Sequence, residues 1–188
     1  MRKLLEYGGI AASVVLIAVG IGAVAMGLDG RSTVRSDLAN EQIYGTPDMK
    51  GIAGKHVDTG SEAHAFAQTM RKHALEATGG QTYAQMGRFL DKAGKPTNVD
   101  KAAAIDPKSG QPVDNPARQI WVTEVALSTA LNTAYFAENV ANFAIAMGVA
   151  LLLSGIGFLV LTGRTLRRAT TRDPRAAPRT SAEPALSS

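Results

Sequence analysis

Two stretches without a charged residue, 7–28 and 139–163, constrain this chain more than any other feature. They are 22 and 25 residues long. A helix needs about 20 apolar residues to cross a hydrocarbon core of about 30 Å, so each is long enough to span. Mean hydropathy is near zero only because the polar middle of the chain cancels its apolar ends. The pattern excludes a purely water-soluble protein. It predicts an all-α fold, a two-transmembrane helical hairpin with a small, helical, loop-rich exported cap. The expected divisions are a cytoplasmic N-terminus (1–6), transmembrane helix 1 (7–28), an exported domain (29–138) that includes a stalk helix (116–138), transmembrane helix 2 (139–163) and a disordered basic tail (164–188).

Charge sets the expected orientation. Residues 29–138 hold 12 basic and 13 acidic side chains, while 164–188 hold six basic and two acidic, and Arg2 and Lys3 stand against Glu6. Positive residues therefore flank the spans, the pattern of segments that stay in the cytoplasm, and a long neutral loop can be translocated. Both termini are expected in the cytoplasm and 29–138 outside the plasma membrane. The excess charge is not spread over a domain, which argues against nucleic acid as a partner. Met1-Arg-Lys and Ala23-Val24-Ala25 also fit a cleavable secretory signal. The apolar stretch outruns a typical signal core and continues past the Ala pair, so a signal anchor is the better reading. Arg164, Arg167, Arg168 and Arg172 can lie on anionic lipid headgroups.

Both spans are rich in small residues. Gly8 and Ala12, Ala18 and Gly22, and Ala23 and Gly27 are spaced by four, as are Ala144 and Gly148, with Gly155 seven further on. Small faces let helix backbones approach in lipid and predict a packed hairpin or a homo-oligomer. Asn115-Pro116 is a helix start, and no Pro or Gly follows until Gly148, so one helix is expected from Pro116 to about Leu161. Residues 32–44 can extend the first span, although Gly27 and Gly30 weaken that helix. Thr59-Gly-Ser-Glu62 reads as a capping box and Gly79-Gly80 as a stop, predicting a helix from Gly60 to Thr78. A shorter helix is expected over 82–90, a helical piece near 99–105, and a turn at Asp106-Pro-Lys-Ser-Gly110. No strand pattern stands out.

Chemistry-bearing residues are few. The chain has no Cys, which excludes disulfides and thiol catalysis. No nucleophile motif, phosphate loop or dinucleotide fingerprint occurs, and export removes ATP and NAD as ligands. No cofactor is expected. The nitrogens able to bind metal are those of His56, His64 and His73, with Asp58, Glu62 and Glu76 nearby. His64 and His73 are separated on one helix by about 13 Å and half a turn, so they do not converge on one ion. His56, His64, His73 and Glu76 are the candidate metal ligands. His73, on the apolar face of its helix, reads first as a hydrogen-bonded core residue. Trp121 is expected to pack against the Phe66 and Met70 face.

Four stretches, Gly45-Thr-Pro-Asp-Met49, His73-Ala-Leu-Glu-Ala-Thr-Gly-Gly80, Thr123-Glu-Val-Ala-Leu-Ser-Thr-Ala-Leu-Asn132 and Leu152-Leu-Ser-Gly-Ile-Gly-Phe158, resemble an actinobacterial family of two-span membrane proteins of uncharacterised function. The likeness covers nearly all of the chain short of the tail. Family members often carry the name aromatic ring-opening dioxygenase. That name implies a soluble iron enzyme, and the histidine spacing and the two spans give it no support. The resemblance implies a membrane protein and transfers no functional residue.

Two readings follow. One is a structural or accessory membrane protein of the cell envelope, whose exported helical domain associates with itself or with a membrane-complex partner. The other is an exported metal-dependent enzyme or sensor using the histidines and Glu76.

Overall fold

The computed structural model describes residues 2–170, with side chains over 7–164. The basic tail expected over 164–188 lies outside the described residues beyond Thr170. The fold is mostly helical: α1 (Arg2–Asn40), α2 (Gly60–Ala77), β1 (Phe89–Leu90), β2 (Pro96–Thr97), a 3-10 turn (Asp100–Ala102) and α3 (Pro116–Thr170). Both α1 and α3 contain segments long and apolar enough to cross a membrane. The chain forms two compact units, Met1–Val24 with Ala146–Ser188, and Ala25–Ile145.

In the first unit α1 and α3 run antiparallel, with Gly9 beside Thr162, Gly155 beside Ser13 and Ile17, and Gly20 beside Gly148 and Leu152. A Cβ at Gly20 would lie 2.8 Å from the Gly148 carbonyl oxygen, and one at Gly148 would lie 2.8 Å from the Gly20 oxygen and the Val24 nitrogen. These contacts are with backbone, which cannot swing aside. The glycines therefore set how near the helices come, as small residues do between helices in lipid. Two of the three spacings of four predicted for the first span mark an exposed face, since Gly8 and Gly22 have open space around them and Ala12 and Ala18 are exposed; the third, Ala23 with Gly27, ends on the packed face, a Cβ at Gly27 lying 2.7 Å from the Ala141 carbonyl oxygen. The buried small residues recur every seven positions instead, Ser13 and Gly20 on α1 and Gly148 and Gly155 on α3. A repeat of seven keeps one seam of a helix against its partner.

The second unit is built in the opposite way, around bulky side chains. Here α1 continues through Gly30 without a break to Asn40. The chain then folds back on itself through bridges pairing Tyr44 with His56 and Gly45 with Ala53. That loop inserts Met49, Ile52 and Val57 among Leu38, Ala63, Phe66, Ala67 and Leu131, the main core. Burying such side chains contributes about 1.5–3 kcal/mol each. Gly45 has no room for a side chain, since a Cβ there would run into the Ile52 carbonyl.

The capping box of α2 forms as its residues imply: the Thr59 side chain accepts from the Glu62 N–H and the Glu62 carboxylate accepts from the Thr59 N–H. At the other end Gly79 and Gly80 take positive φ, and the Gly80 N–H returns to the Leu75 carbonyl, closing the helix. A second, smaller core joins Ala74, Met86 and Trp121. Trp121 therefore packs on the C-terminal half of α2, one turn beyond the Phe66 and Met70 surface expected for it.

Residues 82–90 do not form the short helix that their apolar spacing suggests. After one turn, in which the Gln85 amide caps the Thr82 N–H, the chain extends into β1, which pairs antiparallel with β2. Gly87 lies so close to Pro96 and Thr97 that a side chain there would meet backbone, the nearest atom at 2.5 Å. Further bridges, Phe89 to Asp114, Asp91 to Ala103 and Ile105 to Pro112, tie this excursion together. The helical piece near 99–105 shrinks to the 3-10 turn, and the turn at Asp106 forms, with Gly110 donating to the Asp106 carbonyl.

Candidate functional site

The three histidines of the 25–145 unit sit in three separate settings. His56 lies against the Tyr44 ring, centroids 5.0 Å apart. His64 stacks on Tyr135 at 4.7 Å. Its Nδ1 hydrogen-bonds Asn132 Oδ1 at 2.7 Å and its Nε2 meets Gln68 Nε2 at 2.9 Å, so both ring nitrogens are engaged. His73 hydrogen-bonds Asp48 through Nε2 at 2.6 Å. The Thr46 hydroxyl and this His73 contact hold the Asp48 carboxyl below its ordinary range. Glu76, one turn on, faces Lys72 at 3.7 Å. Among the described residues no three His, Asp or Glu side chains converge to hold a metal ion.

Sequence reasoning missed two buried carboxylates on α3. Glu138 takes up Arg35 at 2.8 Å and Arg31 at 3.4 Å on one oxygen, while its other oxygen accepts the Gly60 N–H at the start of α2. Its side chain is 8% exposed and those of the two arginines about 40%, so the pair is solvated on one side only. Burial pushes the Glu138 carboxyl up, but the Gly60 N–H and Arg35 outweigh it and hold the group below its ordinary range. Glu124 accepts from Arg71 at 3.3 Å and from the Ser128 hydroxyl at 2.7 Å. Arg71 also lies over the Trp121 ring at 4.4 Å. Both carboxylates fasten α3 to another helix: Glu138 to α1 and α2, Glu124 to α2.

An apolar cleft of about 430 Å3 opens in the same unit, walled by Val34, Leu38 and Ile43 on one side and Leu127, Leu131 and Ala134 on the other, with Asp37 and Glu41 at its edge. A second cleft, of about 700 Å3 and more polar, holds Arg88 and Arg118 beside Tyr83 and the start of α3. Asn115 builds this second place: its side-chain amide donates to the Gly87 carbonyl, its backbone N–H donates to Arg88, and its Oδ1 caps the Ala117 N–H. The sequence signal for Asn115 as a helix cap was legible; its grip on residues 87 and 88 was not.

Compared with family models, curated proteins and solved structures, the chain matches none.

Proposed function

We propose that this chain is an integral membrane protein of the cell envelope with a structural or accessory role. In this reading 7–28 and 139–163 span the plasma membrane as a hairpin, both termini are cytoplasmic, and 29–138 forms an extracytoplasmic cap that associates with a second copy or with a membrane-complex partner. Apolar surface carries the reading. On the spans Met26 is 77% exposed, Phe143 67% and Leu153 66%, with valines, leucines and isoleucines between them. Water does not tolerate a continuous apolar patch of that extent, and lipid does. In the cap, the cleft walled by Leu38 and Leu131 remains open where an apolar helix of a neighbour can lie. The resemblance to two-span membrane proteins agrees with this placement.

Native mass spectrometry of the C-terminally tagged protein, extracted from membranes in mild detergent, tests the proposal. A defined homo-oligomer or heteromer is the expected result, and Ala130→Glu, which places a charge at the cleft, is expected to dissociate it without unfolding the cap. A monomer free of other chains would overturn the association. A stoichiometric iron or zinc adduct lost in His73→Ala would instead favour the metal-dependent reading.

A further inference from the structure

Five arginines stand in the 25–145 unit. Arg31, Arg35 and Arg71 meet carboxylates buried on α3. Arg88 and Arg118 meet no carboxylate within 4 Å among the described residues, and each lies on an aromatic ring instead. The Arg118 guanidinium is 3.9 Å from the centroid of Tyr83 and that of Arg88 is 4.8 Å from the centroid of Phe89. Stacking occupies the face of a guanidinium and leaves the N–H groups, which point outward in its plane, able to donate. The Nε of Arg118 is itself buried and meets no acceptor among the described residues.

Both arginines line the 700 Å3 cleft, with Tyr83, Asn115 and Gln119. They reach it from distant parts of the chain. Asn115 joins them, binding residues 87 and 88 on one side and opening α3, which carries Arg118, on the other. Asp114 is the one acid at the cleft; it is exposed and pairs with neither arginine among the described residues. Two guanidinium forks with free edges are a receptor for a carboxylate or phosphate group, which they can bind through paired hydrogen bonds. The cleft is far larger than either group, so the group belongs to a bigger molecule. Asp114 disfavours a bare polyanion and accepts from a hydroxyl or ammonium group placed beside the anion.

We propose that this cleft binds a soluble organic oxyanion, a phosphate or carboxylate carrying a neighbouring hydroxyl or amine, held by Arg88 and Arg118. A lipid headgroup has the same chemistry, but about 24 Å of α3 separates Val122 at the cleft from Glu138 beside the second apolar stretch, at 1.5 Å per residue. The inference is independent of the association proposed above, while its soluble source rests on the placement of 139–163 in the membrane proposed there.

Calorimetric titration of the full-length protein in neutral detergent tests it, with inorganic phosphate and phosphoethanolamine as probes. Phosphoethanolamine is expected to bind saturably and more tightly than inorganic phosphate. Loss of one charged fork should weaken binding by about tenfold or more in Arg118→Gln and in Arg88→Gln. Asp114→Asn should remove the preference over inorganic phosphate, and Lys101→Gln, outside the cleft, should change nothing. Trp121 fluorescence and the melting temperature report whether each variant keeps its fold; where Arg118→Gln does not, Arg118→Lys, which keeps the charge and loses the fork, is read instead. Absence of saturable binding by either probe, or equal affinity in the arginine variants, would overturn the site. Response only to phosphatidylethanolamine in nanodiscs, and not to the free headgroup, would overturn the soluble source.

Discussion

In the unit made of Met1–Val24 and Ala146–Ser188, α1 and α3 meet where side chains are missing; in the unit Ala25–Ile145 the same two helices make one such approach, Gly27 against the Ala141 backbone, and otherwise meet through large or charged side chains. Gly20, Gly148 and Gly155 bring backbone against backbone in the first. Leu38 and Leu131, and the Glu138 pairing with Arg31 and Arg35, join them in the second. The difference is the one expected if, as proposed above, the first unit lies among lipid tails and the second in water. Between lipid tails an apolar side chain gains nothing by leaving its surroundings, so close fit decides. In water the gain comes from removing bulk from solvent, so volume decides.

Removing bulk should therefore hurt one unit and adding bulk the other. Phe66→Ala empties part of the cap core and is expected to cost about 3–5 kcal/mol in denaturant unfolding followed by Trp121 fluorescence. Gly148→Val forces α1 and α3 apart against rigid backbone and is expected to cost about 1–3 kcal/mol in detergent unfolding, whereas Gly22→Val, facing open space, should be silent. Equal effects of the two glycine substitutions would break the comparison. Glu138→Gln retains the shape of the acid but removes its charge and is expected to cost about 1–3 kcal/mol, concentrated in amide exchange at the start of α2. Thr59→Ala removes half of the capping box and should cost about 1 kcal/mol at the same place.

Acidification sharpens the same contrast. Glu138 is held below the roughly 4.3 of an unfolded glutamate, so the unfolded chain takes up the proton first. Its contribution is complete above that value and is lost as the pH falls through the folded one. Glu62, held down by its capping bonds against the upward push of burial, acts in the same direction, as do Asp48 and Asp106. The cap should weaken below about pH 4.3, and Glu138→Gln should flatten that decline in a pH series of melting curves.

Features carried by adjacent residues were legible in the sequence. The Thr59 to Glu62 box, the Gly79-Gly80 stop, the Asn115-Pro116 start and the Asp106 turn each depend on atoms a few positions apart. Residues 82–90 misled because their helical spacing is local, while the contact that forbids a side chain at Gly87 comes from Pro96 and Thr97. On the second span the seam was legible as Gly148 and Gly155, seven apart; on the first, Ser13 and Gly20 were hidden behind fours that lie mostly on the exposed face. The cap's ionic contacts were beyond reach, since nothing near Arg35 announces a carboxylate 103 residues away. The same holds for Arg88 and Arg118, whose common cleft depends on one asparagine amide.

The Glu138 junction also imposes an order on biosynthesis. Arg31, Arg35 and Gly60 leave the ribosome well before their shared acceptor, which stands 78 residues after Gly60 and immediately ahead of the second apolar stretch. Until that glutamate emerges, two guanidinium groups and the amide at the head of α2 lack the acceptor they share in the complete chain. Completion of this junction is thus timed to the arrival of the second apolar stretch, and a chain stopped short of it lacks the carboxylate that draws all three together.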